Sequence, residues 1–290
     1  MLIGSTALFF SYFHFYYIYR LFENDKHFSH LSTLERELSF RTEMGLYYSY
    51  FKSIATESPS FLHGFLSIIS DNRTEAPTTI NVLERFNLYP EVLLGFLYRT
   101  LNSFGRLSQI CYQVNRGESM SAVFSCEGHQ EPTYFYVTCV FLLNGLLLGL
   151  LFLFGVFLSK SFFGGILTVV AYFFNHSEAT RVMWSVDELA PFDPAFLLRF
   201  RTPPLRENFA FPFHIFQMFV LTWILQEEKP LSIDRGLKRK FLSLLIGSTI
   251  FYMLPWQCEF CGFVPPAQRF DLFSILVAQF TLATQVMSLA

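Results

Sequence analysis

Charge is scarce in this sequence. Only 15% of the 290 residues are Asp, Glu, Lys or Arg, where a soluble domain carries about 25%. With 52% apolar residues, a water-soluble globule of this length would expose large apolar patches and aggregate. No excess of positive charge exists either. The net charge of −2 gives electrostatics no hold on nucleic acid. Cysteine is sparse, at five residues: Cys111, Cys126, Cys139, Cys258 and Cys261. Cys258 and Cys261 form one CxxC, but a structural zinc site usually needs two such pairs or added histidines. Neither a metal centre nor a nucleic-acid interface is expected. What is abundant is phenylalanine, 38 residues, and lipid is the solvent that accommodates such a composition.

Residues 2–22 are nearly uncharged, rich in Phe and Tyr, and long enough to cross a bilayer. A cleaved signal peptide fits poorly, since no basic stretch precedes the segment and no small-residue site follows it. Residues 23–133 differ, with nine basic and thirteen acidic side chains. Within them, segment 33–56 has helical periodicity, with Leu34, Leu38, Met44, Tyr48 and Phe51 near one face. Thr33 reads as the N-cap, with Arg36 spoiling the capping box. Residues 78–104 read as a second helical region broken near Pro90. The strongest span is 134–158, which contains 25 residues without a charge. Residues 162–174 follow it, a stretch that reads as continuing through Asn175 and His176. Candidates 209–226, 241–256 and 270–290 complete the set. The organisation expected is therefore a first transmembrane helix over 1–22, a water-facing loop over 23–133, and a bundle of about five spans over 134–290.

Five basic residues between Lys229 and Lys240 assign that loop to the cytoplasm. Lys160 then lies on the same side, and residues 23–133 and 175–208 on the lumenal side. A glycosylation sequon at Asn72, Arg73 and Thr74 fits that placement. So does a disulfide between Cys111 and Cys126, which share the loop. Asn175, His176 and Ser177 form a second sequon, too close to a span for glycosylation.

Three clusters carry potential chemistry. Residues 35–52 hold Glu37 and Glu43, spaced i,i+4 from Arg41 and Tyr47 respectively. Either carboxylate suits a general base, and a solvated helix face is the alternative. Residues 175–184 place His176, Glu178 and Arg181 at a span end, where ionisable groups serve a ligand or anchor the interface. Residues 202–213 bring Arg206 to a helix start after Pro203 and Pro204, a position that favours phosphate. A transporter would carry such groups at mid-span, whereas these lie at span ends.

Taken together, RELSFRTEMGLYYSYFK (36–52), ERFNLYPEVLLGFLYR (84–99), CEG (126–128) and FFNHSEATRVMW (173–184) closely resemble the dumpy-nineteen family of protein C-mannosyltransferases. The match runs in order from about residue 33 to 256. The resemblance implies an all-α, polytopic GT-C glycosyltransferase architecture in the endoplasmic reticulum membrane, with the inner nuclear membrane as a second location. It implies transfer of mannose from dolichyl-phosphate mannose to C2 of tryptophan in WxxW motifs, as in thrombospondin repeats, without a metal or other cofactor. Glu37 takes the place of the catalytic carboxylate in the first lumenal loop, with Glu43 as the alternative. Arg181, Arg206 and His176 are assigned to the donor phosphate. Two stretches, 185–201 and 258–272, depart from the family pattern and read as retained non-coding sequence. The family is also longer, with more spans. A truncated, inactive fragment and a non-catalytic membrane scaffold are therefore carried as alternatives to an active enzyme.

Overall fold

The computed structural model describes residues 2–40, 43–115, 117, 121–174, 206–226 and 235–255. The CxxC, both atypical stretches and the candidate span 270–290 lie outside them.

Helix α1 (Leu2–Lys26) is 25 residues long and packs along α7 (Pro132–Ser159), which has 28. Helix α8 (Phe162–Phe174) folds back against α7. Among the described residues, α7 is the one helix long and apolar enough to cross a membrane by length and composition. The Tyr, Ser and His residues of α1 keep it below that test although its length suffices. The approach of α1 to α7 depends on Gly145 and Gly149, four residues apart on one face. A Cβ on Gly145 would lie 2.5 Å from the Ser11 carbonyl oxygen, and one on Gly149 2.9 Å from that of Ala7. Helices α9 (Arg206–Gln226) and α10 (Arg235–Met253) pair with each other, and α9 also packs on α7. Gln217 of α9 donates to Thr249 of α10 at 2.8 Å. The basic segment predicted as a loop up to Lys240 is thus helical from Arg235 onward.

Between α1 and α7 lies a smaller, polar-bonded unit. Helix α2 (Thr33–Ser39) is capped one residue earlier than predicted. The Ser32 side chain accepts from the Glu35 amide, and the Glu35 carboxylate accepts from the Ser32 amide at 2.9 Å, which completes the capping box. The expected continuous helix over 33–56 is instead α2, an extended residue Phe40, then α3 (Glu43–Lys52), which runs into a π-turn at Ser53–Glu57. The break rotates the two halves, so Leu34 and Leu38 are 66% and 71% exposed while Met44, Tyr48 and Phe51 are buried. Helices α4 (Phe61–Ile69), α5 (Val82–Phe86) and α6 (Tyr89–Ser103) follow. The second helical region breaks at Asn87, which adopts a left-handed conformation, and Pro90 sits harmlessly in the first turn of α6.

A two-stranded antiparallel hairpin, β1 (Ile110–Val114) and β2 (Val123–Glu127), was not anticipated. Cys111 faces Cys126 in its register and the two form the expected disulfide. The core of this unit is aromatic: Phe28, Phe40, Tyr48, Phe51, Tyr98, Phe135 and Tyr136 pack together where the loop meets the first turns of α7.

Candidate active site

Arg36 decides which way α2 faces. Its side chain is completely buried. Nε donates to the Phe28 carbonyl at 2.8 Å and Nη2 to the Ser29 carbonyl at 3.1 Å. The Cys126 carbonyl and the Ser125 hydroxyl accept the remaining bonds. The guanidinium lies over the rings of Tyr134 and Phe28, at 4.7 and 5.6 Å from their centroids. A buried cation is thereby satisfied by carbonyls and π-faces. With Arg36 turned inward, the next residue, Glu37, points to a different side of the helix.

Glu37 has its i,i+4 neighbour, Arg41, outside the described residues. It meets Lys52 at the end of α3, with Nζ 2.8 Å from Oε1 and donating to Oε2 at 3.1 Å. The Tyr48 hydroxyl donates to Oε1 at 3.3 Å. The carboxylate side chain remains 21% exposed and Lys52 32% exposed. Hydrogen bonding to Glu37 holds the Lys52 ammonium protonated above its ordinary range, against the opposing effect of burial. Burial first, and the Glu37 charge second, push the Tyr48 phenol far upward, so it serves as a neutral donor. Glu131, the N-cap of α7, is a nearby acid that motif reading passed over. Burial raises its carboxyl above the ordinary range, Arg36 opposes this, and the charge of Glu37 adds to it. Lys52 also lies 3.8 Å from the Glu57 carboxylate.

The other predicted residues distribute as follows. Glu43 is exposed at the start of α3 and accepts from Tyr47 at 3.3 Å, as its spacing suggested. Tyr47 belongs to a separate cluster with Ile54 and Leu88, so Glu43 and Glu37 share no bonding partner among the described residues. Arg206 opens α9. Phe209, one turn on, packs on Tyr136, with ring centroids 6.3 Å apart. Tyr136 in turn packs against Tyr48 at 5.8 Å. The backbone start of α9 therefore adjoins the aromatic cluster that supports Glu37. His176 and Arg181 lie outside the described residues. Glu91 is a further carboxylate that sequence reading missed. It is buried in the first turn of α6 and accepts from Tyr136 at 3.1 Å. Its signal was an acid immediately after Pro90 in an otherwise apolar run. The CEG motif acquires a structural meaning: Cys126 is the disulfide partner, Glu127 ends β2, and Gly128 has φ +127° with no room for a Cβ beside Gln109.

The motifs that converge on this geometry are those of a known family. The model of the Dpy19 family, described as "Q-cell neuroblast polarisation", matches residues 8–290. The chain belongs to the Dpy19 family. Protein C-mannosyl-transferase DPY19L1 of Homo sapiens is 48% identical over 275 residues, covering 93% of this chain and 37% of that protein. Probable C-mannosyltransferase DPY19L2 of Homo sapiens is 46% identical over 276 residues, covering 93% and 33%. C-mannosyltransferase dpy-19 of Caenorhabditis elegans is 43% identical over 280 residues, covering 95% and 37%. The chain thus spans about a third of the length of these Dpy19 relatives.

Proposed function

We propose that this chain forms the first lumenal loop and adjoining spans of a C-mannosyltransferase of the endoplasmic reticulum membrane, with Glu37 as its general base. The observation that carries the reading is the Glu37 carboxylate, partly exposed, bracketed by Lys52 and Tyr48 on the rim of an aromatic cluster. In the proposed reaction, C2 of a tryptophan indole attacks the anomeric carbon of dolichyl-phosphate mannose. The new C–C bond forms as the bond to the phosphate oxygen breaks, and dolichyl phosphate departs. The cationic indole then loses its C2 proton to Glu37, which restores aromaticity. Before proton loss, the same carboxylate stabilises the cation. Lys52 orients Glu37 through its bond at 2.8 Å. Arg206, Arg181 and His176 are proposed to hold the donor phosphate, Arg206 at the start of α9. No metal enters this scheme.

A non-catalytic membrane scaffold is the second reading. Co-expression with a thrombospondin-repeat acceptor, read by mass spectrometry for hexose on tryptophan, separates the two. Sugar transfer by the chain, abolished by Glu37→Gln at equal expression, supports the enzyme. No transfer, alongside normal product from a full-length relative, leaves the scaffold. Activity retained by Glu37→Gln moves the base to Glu43.

A further inference from the structure

A cavity of about 440 Å³ opens between α1, the hairpin and the start of α7. Its walls are Phe15, Tyr16, Tyr19, Tyr112 and Tyr134, with Glu127 and His129 at the hairpin end. Two of its groups have unspent bonding capacity. The Tyr134 hydroxyl is buried and has no hydrogen-bond partner. Glu127 forms no ion pair among the described residues, and four tyrosines line the cavity with it. An aromatic box closed by one carboxylate is the environment that holds an organic cation. Just outside the lining, on α1, stands Arg20, whose guanidinium lies over the wall residue Tyr16 at 5.5 Å and donates to its hydroxyl at 3.0 Å. Arg20 has no carboxylate partner among the described residues. The site thus offers an anion-binding group and a cation-binding box side by side. It does so at the end of α7 where the apolar helix begins.

We propose that this cavity binds the zwitterionic headgroup of a choline phospholipid. The quaternary ammonium sits among Tyr19, Tyr112 and Tyr134 against Glu127, and the phosphate faces Arg20. The inference rests on the membrane placement of α7 and is independent of sugar transfer, so it stands or falls without an activity assay.

The test follows thermal unfolding of the full chain in maltoside micelles. Dihexanoylphosphatidylcholine is titrated below its micelle concentration and compared with dihexanoylphosphatidylglycerol. The choline lipid is expected to raise the melting temperature and the glycerol lipid to leave it unchanged. Free phosphocholine is expected to reproduce the rise at higher concentration, which assigns binding to the headgroup. Glu127→Gln and Tyr112→Ala are each expected to weaken the apparent affinity about tenfold, with the unliganded melting temperature as the folding control. Tyr112 is exposed on the hairpin, so its variant serves should Glu127→Gln fail to fold. An equal response to both lipids, no response to phosphocholine, or unchanged affinity in the variants overturns the proposal.

Discussion

In the region from α2 to β2, two arginines and a disulfide tie together segments far apart in the chain. In the α1–α7–α8 bundle, glycines and packed rings do the corresponding job. Arg36 bonds carbonyls and a hydroxyl of the hairpin and of Phe28–His30. Arg99 does the same for the π-turn, donating to the Ile54 carbonyl at 2.6 Å and to that of Ser58. Neither is spent on a carboxylate among the described residues. The bundle brings Gly145 and Gly149 against Ser11 and Ala7, and Phe10 against Phe152 at 5.2 Å. Directional bonds organise the more polar half, and close contact of backbones and rings organises the more apolar half.

The strongest way to break this contrast is Arg36→Met. It removes four hydrogen bonds, and roughly 4 kcal/mol of loop stability is expected to vanish after discounting the cost of burying the charge. Limited proteolysis should cut residues 23–131 while α1 and α7 stay protected. Protection of the loop would show that the arginine is dispensable. Next comes Cys111→Ser. The bridge closes a separation of 15 residues, so its loss should cost about 3 kcal/mol, read from urea unfolding of the loop. Gly149→Ile probes the other half. Overpacking against α1 should cost about 2 kcal/mol and lower the melting temperature with the loop's protease resistance intact. The smallest effect concerns pH. Burial raises the Glu131 carboxyl, so the folded chain keeps that proton to higher pH than the unfolded chain. Stability is then greatest below the ordinary carboxylate range and declines as pH climbs through the raised value. Glu131→Gln should flatten that decline in melting temperature above the ordinary carboxylate range. An unchanged slope would exclude Glu131 as its source.

The same contrast explains what was legible in the sequence. Helix α7 could be read directly, because an uninterrupted apolar run is a property of neighbouring residues. The Glu43–Tyr47 bond was legible too, being an i,i+4 relation within one helix. Leu34 and Leu38 were misassigned because periodicity assumes one continuous helix, and the extended Phe40 resets the phase. The hairpin escaped because its first strand is mostly exposed, which leaves no alternation of burial to detect. Ser32 was overlooked as a cap because Thr33 beside it has the same chemistry. The partners of Glu37 and Arg36 were out of reach for another reason. Lys52 is 15 residues from Glu37, and Arg36 bonds backbone carbonyls, which no sequence marks. A site on a loop is legible as a motif long before it is legible as a set of contacts.

Arg36 also introduces a matter of timing. Its acceptors Ser125 and Cys126 lie 89 and 90 residues later in the chain. At about 5–20 residues per second, a ribosome needs roughly 5–18 s to deliver them. For that interval the guanidinium has only the Phe28 and Ser29 carbonyls to bond, and α2 lacks its two anchors on the hairpin. The carboxylate beside it is therefore set in place only after the hairpin has been synthesised, which makes the second half of the loop the clock for the first.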